Sequence, residues 1–309
     1  FKKVYFKFMK NTIVLAFYHF TPFSNPEEIK IPLKKICKKH KIKGSILLAN
    51  EGINGTISGN DKNISEVLAY IKALPGCAKI ETKKSLNFSQ PFNRMKVRLK
   101  KEIVTMGQPN IDPNEKVGRY IDPKNWDEFT KKDDVVVIDT RNKYEIEIGT
   151  FKGSINPDTD SFKKFPGWWE QHKDKFHGKK IAMFCTGGIR CEKSSNYLLN
   201  QGVKDVFHLK GGILNYLEKT KKVDSNWEGE CYVFDHRVSV NHDLNKGSYE
   251  CCFACGRPLS LTDRSDSKFE FGVSCAKCID EFSEDRKARF RERQKQILLA
   301  EKRGKDHLG

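Results

Sequence analysis

Two groups of cysteines in this chain have neighbours and spacing that suit chemistry. The first centres on Cys185 in MFCTGGIRCEKSS, residues 183–195. Cys185 ends an apolar run and is followed by two glycines and Arg190. A thiol attacks as its thiolate, so it needs a local positive field. The turn Cys185, Thr186, Gly187, Gly188, Ile189, Arg190 leads into a helical pattern. Its backbone N–H groups, the helix dipole and Arg190 can all act on the sulfur. The glycines permit the backbone angles that such a nest requires. A persulfide on Cys185 would be held in the same way. Cys191 follows six residues on, and two readings of it stay open. It can resolve an oxidised Cys185 as a disulfide, or it packs beneath the loop. Glu192 and Lys193 are either substrate contacts or exposed helix charges.

The second group is Cys252-x2-Cys255, then nineteen residues, then Cys275-x2-Cys278. Two knuckles at this separation can close a tetrahedral thiolate site for structural zinc. A reduced metal-free cluster and redox dithiols are the rival readings. Cys251 is adjacent and can replace Cys252. His236 and His242 read as surface histidines rather than ligands.

The elements around these residues define three parts. VVVID (135–139), IAMFC (181–185) and VFHL (206–209) are continuous apolar runs typical of buried parallel strands. EKSSNYLLNQG lies between the last two as a helix ending at Gly202. This alternation indicates a doubly wound α/β domain, whose ligands bind beyond the carboxyl ends of the strands. Cys185 sits at such an end. Upstream, residues 12–22 read as a strand, 25–40 as a helix and 44–59 as two short strands or one bent strand. Residues 63–74 read as a helix, and 77–82 and 94–104 as strands. That order suits a ferredoxin-like (acylphosphatase-like) α+β sandwich with an open sheet face. Arg94, Lys96, Arg98 and Lys100 recur at period two, so one face of the last strand is basic. It is either a nucleic-acid-binding surface or a lysine-guarded edge. The expected division is 9–106 for this basic domain, 107–122 for a Pro/Gly/Asn-rich linker and 123–222 for the α/β domain. Residues 223–309 form a Cys-rich segment ending in a charged helix over 284–303.

Charge separates these parts. Residues 1–106 carry 21 Lys and Arg against 7 Asp and Glu, which is 14 of the chain's net +17. A field concentrated in one domain suits a polyanion such as nucleic acid. No apolar run approaches the roughly 20 residues that span a bilayer. The first twenty residues, FKKVYFKFMKNTIVLAFYHF, are basic and then apolar like an export signal. The apolar part is short, rich in strand formers and without a small-residue cleavage site, so it reads as a strand, with Met9 a potential internal start. Ten cysteines in paired and loop contexts, without an export signal, point to a reducing cytoplasm.

CTGGIR, DTR at Asp139–Arg141, GTFKGSIN (149–156) and GGILNY (211–216) together resemble a rhodanese domain. The resemblance implies that Cys185 can carry sulfane sulfur, with Thr186 to Arg190 as its loop. Related cysteine phosphatases use a loop one residue longer, so the four residues between Cys185 and Arg190 argue against them. Asp139 and Arg141 are expected to brace the loop. More widely, ILLANEGINGTISG (46–59), RMKVRLKKEIVTMG (94–107), CTGGIRCEKSS and WEGECYVFDHRVSV (227–240) resemble the oxygen-dependent tRNA uridine(34) hydroxylases. That resemblance covers roughly residues 12–280. It implies 5-hydroxylation of the wobble uridine of tRNA, with molecular oxygen as co-substrate and the loop cysteine essential. No haem ligand set, flavin or nicotinamide fingerprint or other organic cofactor motif is identifiable. Two alternatives remain: a plain sulfurtransferase working through a Cys185 persulfide, and a non-catalytic RNA-binding adaptor. The expected partner is tRNA and not a membrane, and the sequence sets no oligomeric state.

Overall fold

A computed structural model describes residues 12–304. The expectations for Met9 and for the first residues of the basic domain lie outside this range. The first unit runs β1 (Thr12–Phe20), α1 (Pro26–Lys39), β2 (Lys43–Ala49), β3 (Gly52–Gly59), α2 (Asp61–Lys72), β4 (Glu81–Asn87) and β5 (Met95–Leu99). The strands form one sheet in the order β4-β1-β3-β2-β5. All neighbours are antiparallel except β2 and β5. Asn25 and Asn60 start the two helices by accepting backbone N–H bonds at their N-caps. Alternate residues Ile13, Leu15 and Phe17 of β1 meet Leu33 and Cys37 of α1 and Ile64, Val67 and Ile71 of α2 in one apolar core.

The stretch 44–59 is two strands rather than one. The strand expected at 77–82 begins at Glu81, because Cys77–Lys79 closes a 3₁₀ turn with Cys77 buried. The strand expected at 94–104 ends at Leu99. Beyond it, the Glu102 carboxylate accepts the N–H groups of Met106 and Gly107 and bends the chain.

The second unit contains β6 (Arg119–Ile121), α3 (Pro123–Thr130), β7 (Val135–Asp139), α4 (Lys143–Ile146), β8 (Gly149–Phe151), α5 (Phe165–His172), β9 (Lys180–Phe184), α6 (Ile189–Asn200), β10 (Val206–Leu209) and α7 (Gly212–Lys219). Its parallel sheet has the order β6-β10-β9-β7, so β6 adds an edge strand that the apolar runs did not reveal. The segment before β6 is fixed in place. Asn196 donates to the carbonyls of Asp112 and Lys116, and Ser195 accepts the N–H of Gly118.

The last part contains β11 (Trp227–Gly229), paired with β8, then β12 (Cys231–Tyr232) with β13 (Ser239–Val240) and β14 (Glu250–Cys251) with β15 (Pro258–Leu259). Two helices follow, α8 (Leu261–Ser265) and α9 (Glu284–Lys302).

The sheet face expected to be open is covered along β1 and β4. Tyr18 and Lys83 meet the second unit, and Ser85 accepts a bond from Arg237 of the last part. The reason is the period of two: the residues of β1 and β4 that do not face α1 and α2 face the second unit and the last part instead.

Candidate active site

Cys185 follows β9, and α6 begins four residues later, so the loop leaves the carboxyl end of a central strand. Its carbonyls are tied down from above. Ile213 and Leu214, in the first turn of α7, donate N–H bonds to the carbonyls of Cys185 and Thr186. Gly212 allows this approach, because a Cβ there would stand 2.4 Å from the Cys185 carbonyl oxygen. With its outer carbonyls occupied, the loop turns N–H groups inward. The Gly188 N–H donates to Cys185 Sγ at 3.1 Å. Gly188 has φ +106, and a Cβ on it would meet the Tyr18 hydroxyl at 2.7 Å.

Arg190 does not act on the sulfur alone. Its two terminal nitrogens grip the Glu145 carboxylate at 2.6 and 2.8 Å, and one also reaches the Thr186 hydroxyl at 3.3 Å. Glu145 is fully buried, and Arg141 fixes its backbone by donating to the Glu145 and Gly149 carbonyls. Arg141 is itself paired with Asp139 in the interior. The DTR brace therefore acts through Glu145. Sequence reading missed Glu145, which stands 45 residues before its partner in the short segment NKYEIEIG.

Cys185 is wholly buried. Burial alone would raise its pKa, but the Cys191 thiol, Arg190 and the N–H groups of Cys191 and Arg190 bring it down to about 5. Cys191 is pushed well up by burial and by Cys185. The two thiols thus shift each other in opposite directions, and Cys191 lies 3.7 Å from the Thr140 hydroxyl. Ile189 packs against Phe20, Ala49 and Ile103 of the first unit.

Glu192 and Lys193 are not exposed helix charges; both are buried. Glu192 accepts the Tyr18 hydroxyl at 3.0 Å and the Tyr120 hydroxyl at 2.9 Å. Burial raises its pKa to about 7, against the two tyrosine hydrogen bonds that lower it. Lys193 lies between Glu51 at 2.7 Å and Glu102 at 2.6 Å. The helix that carries the loop is thus bolted to the first unit by its own charges. On the other side, a row of edge-to-face rings runs Tyr144, Tyr232, Phe234, with centroids 5.2 and 5.1 Å apart. Phe234 is 59% exposed, and the Arg190 guanidinium carbon lies 6.0 Å from its ring centre.

Arg94, Lys96, Arg98 and Lys100 flank the apolar Met95, Val97 and Leu99, and all but Lys96 are exposed. They lie on and beside β5, four strands from β4, which is about 19 Å across the sheet at ordinary strand spacing. None of the four makes a hydrogen bond or ion pair to the loop among the described residues; Met95, Val97 and Leu99 between them pack on the apolar core.

Cys252, Cys255, Cys275 and Cys278 converge, with all four Sγ atoms within 4.8 Å of one another. Individual pairs stand 3.6 to 3.9 Å apart. Zinc–sulfur bonds of about 2.3 Å in a tetrahedron place sulfurs about 3.8 Å apart, so the set fits a thiolate-bound zinc. Cys251 stays outside the set, with its thiol directed to the Cys252 carbonyl. His236 is exposed, but His242 is buried, which corrects its reading as a surface residue; neither joins the cluster.

A parallel sheet carrying an anion-holding C-x4-R cysteine loop, joined to an acylphosphatase-type sandwich, defines a rhodanese-type cysteine protein with a second domain on its active loop. Residues 12–103 match the UPF0176 acylphosphatase like domain and residues 122–219 the rhodanese-like domain. The tRNA uridine(34) hydroxylase of Ruegeria pomeroyi is 58% identical over 295 residues, covering 96% of this chain and 98% of its own length. That of Roseobacter denitrificans is 55% identical, covering 95% and 99%. That of Gluconobacter oxydans is 52% identical, covering 96% of each chain. The chain belongs to the tRNA uridine(34) hydroxylase family, as its motifs implied.

Proposed function

We propose that this protein hydroxylates C5 of the wobble uridine, position 34, in tRNA, using molecular oxygen as co-substrate. The observation that carries the reading is near-complete, end-to-end similarity to proteins of that name, with the cysteine loop formed and the Gly188 N–H directed at the Cys185 sulfur. Cys185 is the catalytic residue. Thr186 to Arg190 form the loop that holds it, and Cys191 serves as its resolving thiol. A sulfurtransferase acting on small molecules would leave the surplus charge of the first domain without a role.

Arg94, Lys96, Arg98 and Lys100 are assigned to tRNA phosphates, where exposed cations position a polyanion without reading its bases. A wobble base lies in a single-stranded loop and can be turned out onto an aromatic ring. Phe234 is assigned to receive it, on the support of its exposure and its position beside Arg190. The four clustered cysteines would hold zinc, which would supply structural cross-linking of the C-terminal part rather than chemistry. The working division keeps 9–106 and 223–309 but moves β6 (Arg119–Ile121) from the expected 107–122 linker into the α/β domain, expected at 123–222. No helix among the described residues is long and apolar enough to cross a membrane, and a tRNA substrate places the work in the cytoplasm.

The test is mass spectrometry of tRNA nucleosides from a strain lacking this gene, complemented with wild type or with Cys185→Ser. The reading expects 5-hydroxyuridine derivatives to return with wild type only. Their return with Cys185→Ser would remove the cysteine from the reaction. Unchanged nucleosides in the deletion strain, with no second enzyme making the same base, would remove the function itself.

A further inference from the structure

Lys83 and Lys84 are neighbours in β4 with opposite fates. Lys84 faces α2 and pairs with Asp61 in solvent. Lys83 lies on the other face, opposite Ala16 of β1, and is half-buried against the Cys185 loop. There it donates to the Gly187 carbonyl at 3.3 Å. That carbonyl belongs to the same peptide plane as the Gly188 N–H, which donates to Cys185 Sγ at 3.1 Å. One amide therefore joins a cation at its oxygen to a sulfur at its hydrogen.

We infer that Lys83, supplied by the first domain, is a positioning residue that stabilises the Cys185 anion through the Gly187–Gly188 peptide. A charged donor on the carbonyl oxygen polarises the amide and strengthens the bond from its N–H, as in any hydrogen-bonded chain in a low-dielectric interior. It also fixes the orientation of the plane. Desolvation draws the Lys83 pKa down to about 8, while Cys185, Glu81, Cys231 and Glu218 act in the opposite sense. The charged groups facing Cys185 are then Cys191, Arg190 and Glu192 of α6, Lys83 of β4 and Tyr18 of β1. Arg190 is already neutralised by Glu145. Lys83 has no carboxylate partner among the described residues; its hydrogen bond is to the loop. The acylphosphatase-like domain thus contributes to the cysteine site as well as to any RNA surface.

The inference rests on Cys185 working as an anion, and its readout is the titration of that thiol rather than tRNA modification. The two readings therefore fail separately. The experiment is thiolate absorbance at 240 nm against pH in the full chain, with each variant subtracted against its matched Cys185→Ser partner so that the other cysteines cancel. Lys83→Met is expected to raise the Cys185 midpoint by about one pH unit or more, a roughly tenfold loss of thiolate at a given pH below it. Lys83→Arg is expected to stay near wild type, and Lys83→Gln, a neutral donor, to fall between. Methionine in place of a buried ammonium is compatible with folding, and thermal melts of each variant check this. If Lys83→Met does not fold, the Gln and Arg pair decides. Equal midpoints in the wild type and the folded charge-free variants would overturn the inference. A normal titration in a protein that leaves tRNA unmodified would instead count against the hydroxylase reading alone.

Discussion

The chain gathers sulfur in two enclosed places and neutralises it differently in each. At the loop, the Cys185 sulfur faces the Gly188 N–H, with the Cys191 thiol, Arg190 and Lys83 around it. In the C-terminal cluster, four sulfurs face chiefly one another, and the nearby Arg257 is engaged by Glu281. The difference teaches what a fold can do with its own charges. Fixed dipoles and cations of the chain are enough to hold one thiolate. Four thiolates within 4.8 Å repel one another and call for an external dication.

The largest break in the comparison comes from the metal. One zinc per chain is expected by elemental analysis, and Cys275→Ser is expected to lose it. Structural zinc in isolated finger peptides is worth about 10–16 kcal/mol at neutral pH. The C-terminal part should therefore become sensitive to limited proteolysis while the Cys185 titration stays as in wild type. Resistance to protease without metal would mean that the thiols need no cation.

Next comes Glu145→Gln, which leaves Arg190 charged and buried without its partner. Breaking such a pair costs about 3–5 kcal/mol, so the denaturant midpoint of the α/β domain should fall steeply. A change below about 1 kcal/mol would mean that Arg190 is held by other means.

Glu192 gives a pH test of similar size. Its folded pKa is raised from 4.5 to about 7, so the folded state binds the proton more tightly than the unfolded one. Stability is then lost as pH rises through this window, by about 3 kcal/mol in all. Glu192→Gln should remove that loss. Thermal melts should favour the variant at pH above about 7 and show little difference at the acid end. Identical pH profiles would place the ionised carboxylate in solvent.

The smallest effect concerns cations that face water. Arg98→Ala should weaken tRNA binding uniformly and reduce the salt slope by about one. No change in the slope would return β5 to a solvated edge.

Chemistry carried by contiguous residues was readable from sequence, and chemistry carried by contact was not. CTGGIR after a buried strand announced the loop, and paired knuckles announced the cluster, because each motif encloses its own geometry. Glu145, Tyr18, Tyr120 and Lys83 gave no such signal. Lys83 is one of two adjacent lysines in a lysine-rich domain, and only the docking of the sheet on the loop distinguishes it. Glu192 and Lys193 could be read from sequence either as substrate contacts or as exposed helix charges, because their actual partners, a tyrosine pair and a glutamate pair, lie far away in the sequence. The expected open face failed for the same reason: polar residues on a strand face solvent or another domain with equal ease.

The central claim is that the loop sulfur is an anion by the protein's own design. The most direct measurement is the thiolate titration of the wild-type chain against Cys185→Ser, with the C-terminal cluster loaded with zinc in both. The account predicts that the difference curve has its midpoint well below the ordinary thiol value of about 8.5. A midpoint at or above that value would make Cys185 an ordinary buried thiol and leave the loop without its chemistry.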